Sequence, residues 1–127
     1  IMKLFITLGN QLFPLKYLSR FKNDHLFFMA EDYGLCTYEK HHKLKILLFL
    51  SAMRSHADNL KKNNFKVIYS KIDDSDFKND YMKKIQKVIK KNKIKEISFF
   101  EIEDKPFEKK ILDFVKKNKI KFNMVKT

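Results

Sequence analysis

The sequence predicts a doubly wound α/β fold, a five-stranded parallel sheet in the order 3-2-1-4-5 with helices on both faces. Two observations carry this expectation. Short apolar runs alternate with longer helix-periodic stretches along the 127 residues, and strands separated by helices form parallel units with right-handed crossovers. Runs one, two and four are the most continuously apolar, while three and five alternate, which puts three and five at the sheet edges.

Each element has its own local signal. Lys3–Leu8 (KLFITL) reads as the first strand and ends at the turn pair Gly9-Asn10. His25–Ala30 (HLFFMA) is unbroken apolar sequence, as in a strand buried on both faces. From Tyr38 to Asn63 there is no Gly or Pro, and Leu44, Leu47, Leu48, Ser51 and Ala52 recur at helical spacing, a stripe that Phe49, Met53, Ala57 and Leu60 extend. Phe65–Ile72 alternates as an edge strand does, and Asp73-Asp74-Ser75-Asp76 follows it as a loop rich in N-cap residues. Asp80–Lys93 has Tyr81, Ile85, Val88 and Ile89 on one face and lysines opposite. Glu96–Ile102 is the fourth strand, Pro106 opens a helix to about Asn118, and Lys121–Val125 is the fifth, edge-like strand. No internal repeat or low-complexity segment is expected beyond a lysine bias.

Composition narrows the function classes. The length suits one domain spanning 1–127, and 44% apolar residues suffice for a packed core. One cysteine, Cys36, cannot by itself form an internal disulfide, a cysteine-rich zinc site or an iron–sulfur cluster. The longest apolar run, Ile46 to Leu50, is too short to span a bilayer and nothing resembles a signal peptide, so a cytoplasmic protein is expected with no membrane partner. The net charge of +13 is lopsided: residues 1–60 hold 8 basic and 5 acidic side chains, residues 61–127 hold 20 and 10. Lysine supplies 26 of the 28 cations, Arg20 and Arg54 the rest, so base-specific readers, which favour the arginine fork, are disfavoured. A solvated lysine face accounts for most of this, and generic attraction to nucleic acid follows in any case.

Most motif tests are negative. Gly9 has neither the companion glycines of a dinucleotide fingerprint nor a Walker lysine pattern. His41 and His42 are adjacent, about 100° apart on a helix, and share no turn with His56, so no metal site is expected. No nucleophile–base pair supports catalysis. In an open parallel sheet, ligands bind beyond the carboxyl ends of the strands where the strand order reverses, here between strands one and four. Gly9-Asn10-Gln11, Glu31-Asp32, Asp73-Asp74 and Glu101-Ile102-Glu103 reach that edge. Amides and carboxylates there suit hydroxyls and a polar heterocycle better than a triphosphate.

LGNQL at 8–12, MAED at 29–32, TYEKHHKLKILLFLSAMR at 37–54 and IDD at 72–74 resemble the opening domain of the deoxyribodipyrimidine photolyase-related proteins, the iron–sulfur bacterial cryptochromes and photolyases. The block from His41-His42-Lys43 to Ser51-Ala52-Met53-Arg54 is the most specific part. Asn10 stands where the family usually has Asp, Leu35 where some members have an acid, and Glu101-Ile102-Glu103 where a Glu-Pro pair is common.

The resemblance implies a Rossmann-like three-layer sandwich that holds an antenna chromophore, commonly a ribityl-lumazine. It implies that Gly9, Asn10, Gln11 and Glu31, with Tyr38, His41, Lys45 and Phe49, form the chromophore site. FAD and a four-iron four-sulfur cluster are expected only in a C-terminal domain of the same parent chain, outside these residues. That domain would grip damaged DNA in a light-driven lyase or a blue-light sensor; no catalysis is expected from this chain by itself. The alternative from the residues is a basic α/β nucleic-acid-binding module, which needs the lysines of 80–93 and 105–119 on one continuous face. A flavodoxin-shaped small-molecule enzyme is a third.

Overall fold

The computed structural model describes residues 2–9, 11–31, 43–71 and 81–126, and for 43–47 the backbone alone. Five strands, β1 (Lys3–Ile6), β2 (His25–Ala30), β3 (Lys66–Ser70), β4 (Glu96–Phe100) and β5 (Lys121–Val125), form one sheet in the order β3-β2-β1-β4-β5. Every pairing is parallel, with Lys3 beside His25, Leu4 beside Ile97, Leu26 beside Lys66 and Glu96 beside Lys121. The alternating runs are the edge strands, because only they have a face or flank left to water.

Alternation along each strand divides two cores. Leu4, Ile6, Phe28, Ile97 and Phe99 face α3 (Tyr81–Asn92) and α4 (Lys105–Lys117), which bury Tyr81, Ile85, Val88, Ile111 and Val115 against them. Phe5, Phe27, Met29 and Phe100 face the other way, onto α2 (Lys43–Lys62) through Met53, Ala57 and Leu60. Phe5 centres this second core, with ring centroids 4.8 Å from Phe21, 5.0 Å from Phe27 and 5.3 Å from Phe100. The result is the expected three-layer α/β sandwich.

One short element carries no helix-length periodicity in the sequence. Pro14 leads into α1 (Leu15–Leu18), which tightens into a 3-10 turn at Ser19–Phe21 and drops Leu18 and Phe21 into the second core. Seven residues are too few for a 3.6-residue stripe to declare itself. The start of α4 is marked better. Asp104 accepts from the Phe107 amide at 3.2 Å, Pro106 lies in the first turn, and the Glu108 carboxylate accepts from the Ile102 amide at 2.9 Å.

The expectation of no internal repeat is corrected. Lys-Lys-Asn-Lys-Ile-Lys occurs at both 90–95 and 116–121, and 61–66 is a looser copy. All three end a helix in the same way. Ile94 donates to Ile89, Ile120 to Val115 and Phe65 to Leu60 through backbone bonds of 2.9–3.0 Å, the six-to-one bond of the Schellman motif. Asn63, Asn92 and Asn118 each bond back to the carbonyl four residues earlier. The next residue, Asn64, Lys93 or Lys119, has φ of 68°, 54° or 53°. Glycine and asparagine tolerate that left-handed region, whereas lysine is disfavoured there by about 1 kcal/mol.

Candidate functional site at the carboxyl edge of the sheet

The chain leaving β1 reaches the point where strand order reverses. Thr7 extends the ladder by donating its amide to the Phe28 carbonyl at 3.0 Å. Gln11 folds back, its amide bonded to the Leu8 carbonyl at 2.9 Å and its Nε2 donating to the Glu101 carbonyl at 3.0 Å. That side-chain bond spans the switch point from the β1 loop to the end of β4. Gln11 Oε1 and Thr7 Oγ1 are buried and have no hydrogen-bond partner among the described residues. Buried polar atoms left in this state are unusual in folded proteins.

On the α2 side the edge is closely packed. A β-carbon on Gly9 would lie 2.3 Å from Phe49 Cζ, 2.9 Å from its Cε1 and 3.0 Å from Met53 Sδ. Gly9 has no positive φ, so close approach, and not backbone freedom, explains the glycine. Beyond it, Glu31 leaves β2 with its side chain wholly buried. Arg54 from α2 meets that carboxylate with Nε at 2.6 Å and Nη2 at 2.9 Å, and the Tyr69 hydroxyl from β3 donates at 2.5 Å. The carboxylate holds the guanidinium pKa above its ordinary value. Burial, then the bond to Glu31, raises the Tyr69 phenol above its own. Tyr69 therefore stays a neutral donor and Arg54 a fixed cation at the rim.

The residues expected from the sequence thus divide. Gly9, Gln11, Glu31 and Phe49 come to one sheet edge. Glu31 is turned onto Arg54 and Tyr69, and Phe49 onto Gly9. Lys45 lies in the first turn of α2. Asn10, Tyr38 and His41, with Leu35, Cys36 and the acids at 73–74, lie outside the described residues. Thr7, Arg54 and Tyr69 lie at this edge although none was expected as a site residue, since their contacts join separate elements.

A comparison with family models matches residues 5–127 to the deoxyribodipyrimidine photo-lyase-related proteins. The chain belongs to this family. No curated protein matches it significantly.

The photolyase-related domain also has two clefts lined by described residues at the opposite, amino edge of its sheet. One, about 400 Å³, includes Asp24, His25 and Ser98. His25 Nδ1 lies 2.7 Å from Asp24 Oδ1, and its Nε2 lies 2.9 Å from Ser98 Oγ. With the ring neutral and the acid ionised, Nδ1 donates to Asp24 and Nε2 accepts from the Ser98 hydroxyl. The bond from His25 holds the Asp24 carboxyl below its ordinary pKa. This is the connectivity of a nucleophilic triad, absent from the sequence reading because Ser98 is distant in the chain. Ser98, however, is only 1% exposed and sits mid-strand between β1 and β5. Its backbone is committed to the sheet, leaving no free amide for an oxyanion. The trio is a clamp joining β2 to β4 across β1. The other cleft lies between the ends of α3 and α4.

Among the described residues no helix is long and apolar enough to cross a membrane, and no group of three metal-ligating side chains occurs.

Proposed function

We propose that the chain is the antenna-chromophore-binding domain of a photolyase- or cryptochrome-related flavoprotein. It binds and orients a pigment at the carboxyl edge, and the bond chemistry belongs to the rest of the parent protein. Family membership supports the general role. The observation that carries the site is Gln11, anchored through Nε2 while its buried Oε1 has no partner among the described residues.

The groups at this edge fit a ribityl-lumazine. Such a ligand combines ring N–H and carbonyl groups with a chain of hydroxyls. Gln11 Oε1 offers an acceptor, Thr7 Oγ1 a donor and acceptor, and Arg54 retains donor groups not used by Glu31. Glu31 acts on this reading through Arg54, which it orients, while Phe49 on Gly9 supplies an apolar floor. Asn10, Tyr38, His41 and Lys45 complete the proposed set. When bound, the lumazine absorbs blue light and passes excitation to the flavin, which with the iron–sulfur cluster and the grip on damaged DNA falls to the C-terminal domain.

The test is the absorption spectrum and mass of small molecules released from the purified chain, followed by titration of the emptied protein with a ribityl-lumazine. Gln11→Ala removes one hydrogen-bond acceptor and should weaken uptake about 5- to 10-fold, and Phe49→Trp should also weaken it. Unchanged titration by both variants, with folding intact, would overturn this site.

A further inference from the structure

The lysine runs that end α3 and α4 lie at the amino edge of the sheet, opposite the carboxyl edge. Residues 90–95 and 116–121, at the ends of α3 and α4, contain eight lysines and no acidic side chain. These two Lys-Lys-Asn-Lys-Ile-Lys copies enter neighbouring strands, with the Lys121 amide bonded to the Lys95 carbonyl at 3.2 Å. Adjacent strands lie about 4.8 Å apart, so the copies stand side by side. The lysines that stand together are thus those of the helix ends, whereas the nucleic-acid-binding alternative required those of 80–93 and 105–119 on one continuous face.

Between the two copies is a cleft of about 720 Å³. Ile89, Ile94, Phe114 and Ile120 contribute apolar lining, and Lys90, Lys95, Lys119 and Lys121, all exposed, contribute charge. Its one lining acid, Glu96, is already 3.3 Å from Lys3 Nζ. Helix dipoles explain cations in the last turns of α3 and α4. They do not explain Lys95 and Lys121 beyond those turns, or Lys93 and Lys119 at left-handed backbone positions that disfavour lysine.

We propose that this amino-edge cleft is a sequence-tolerant binding site for single-stranded nucleic acid. Phosphates meet Lys90, Lys95, Lys119 and Lys121, and bases lie against the apolar floor. A duplex buries its base faces in its own stack and would leave that floor unused, whereas a single strand presents phosphates and base faces together. Lysine, a point charge without the arginine fork, matches backbone contact without base readout. The proposal is independent of the pigment reading.

Fluorescence anisotropy with a labelled oligothymidine, against a duplex of equal length, tests it. The single strand should bind about 10-fold tighter. Four phosphate contacts predict a loss of about 50-fold between roughly 50 and 200 mM salt. Lys90→Glu/Lys119→Glu should weaken binding about 10-fold or more, while Lys109→Glu/Lys110→Glu, an equal charge change on exposed positions of α4, should stay within about twofold. Lys95→Gln/Lys121→Gln repeats the test without altering a left-handed residue and should also weaken binding. Equal losses in both glutamate pairs would reduce the effect to net charge and overturn the proposal. So would tighter binding of the duplex, or binding only to vesicles of anionic lipid.

Discussion

Arg54 and Glu31 form a two-pronged ion pair, 2.6 Å and 2.9 Å, in which the carboxylate is wholly buried and the guanidinium side chain is 43% exposed. The asymmetry predicts which partner is harder to lose. Arg54→Ala leaves a buried carboxylate with one strong donor fewer and should destabilise the domain by about 2–3 kcal/mol, below the full value for an isolated buried charge because water can reach the vacated side. Glu31→Gln keeps an acceptor for Tyr69 and leaves Arg54 able to turn to solvent, so about 1 kcal/mol is expected. Urea unfolding of the two variants checks the order; a larger loss in Glu31→Gln would contradict it.

Gly9 and Phe49 make a second prediction. A methyl group on Gly9 has no room beneath the Phe49 ring, so Gly9→Ala should destabilise by about 1–3 kcal/mol. Phe49→Leu in the same chain frees space and should recover much of that loss. The check is a double-mutant cycle by urea denaturation, with a coupling well above the scatter for independent sites.

The strands were largely legible because their signal is short-range. The bounds of β2 and β5 agree with the sequence reading, and β1, β3 and β4 are shorter only at their ends. Edge and centre could be told apart because a strand with two neighbours and two covered faces has nowhere to put a charge. The carboxyl edge was legible as a place, since topology and the family resemblance both point to it. The pairing of Glu31 with Arg54 and Tyr69 was not, because it joins three elements 23 and 38 residues apart, and no spacing rule encodes it. The repeated helix ends were written openly in the sequence, yet they read as lysine bias until the shared left-handed residue shows what Lys93 and Lys119 have in common.

Those helix ends give a stability prediction of opposite sign. Lys93→Gly and Lys119→Gly each place a residue with no β-carbon at a positive φ. Each should stabilise the domain by about 1 kcal/mol, net of the glycine's greater freedom when unfolded. The sites lie in different loops, so the double variant should be close to additive. Thermal unfolding midpoints check this. Asn64, which already tolerates its conformation, should gain less from Asn64→Gly.

His56 on α2 predicts the pH response. Its Nε2 is buried without a hydrogen-bond partner among the described residues, and burial holds its pKa below the ordinary value of 6.5. A neutral ring is therefore favoured in the folded state, and the unfolded chain takes up the proton first. The stability this preference confers is fully present above the unfolded-state value and is lost as pH falls through the lower folded-state value. Urea midpoints should accordingly fall as pH drops from about 7.5 to 5.5. In His56→Gln, which cannot titrate, that part of the slope should disappear while the acid limb from Asp24, whose carboxyl is held below its usual range by His25, remains at lower pH. A pH profile unchanged by His56→Gln would show that another group sets the response.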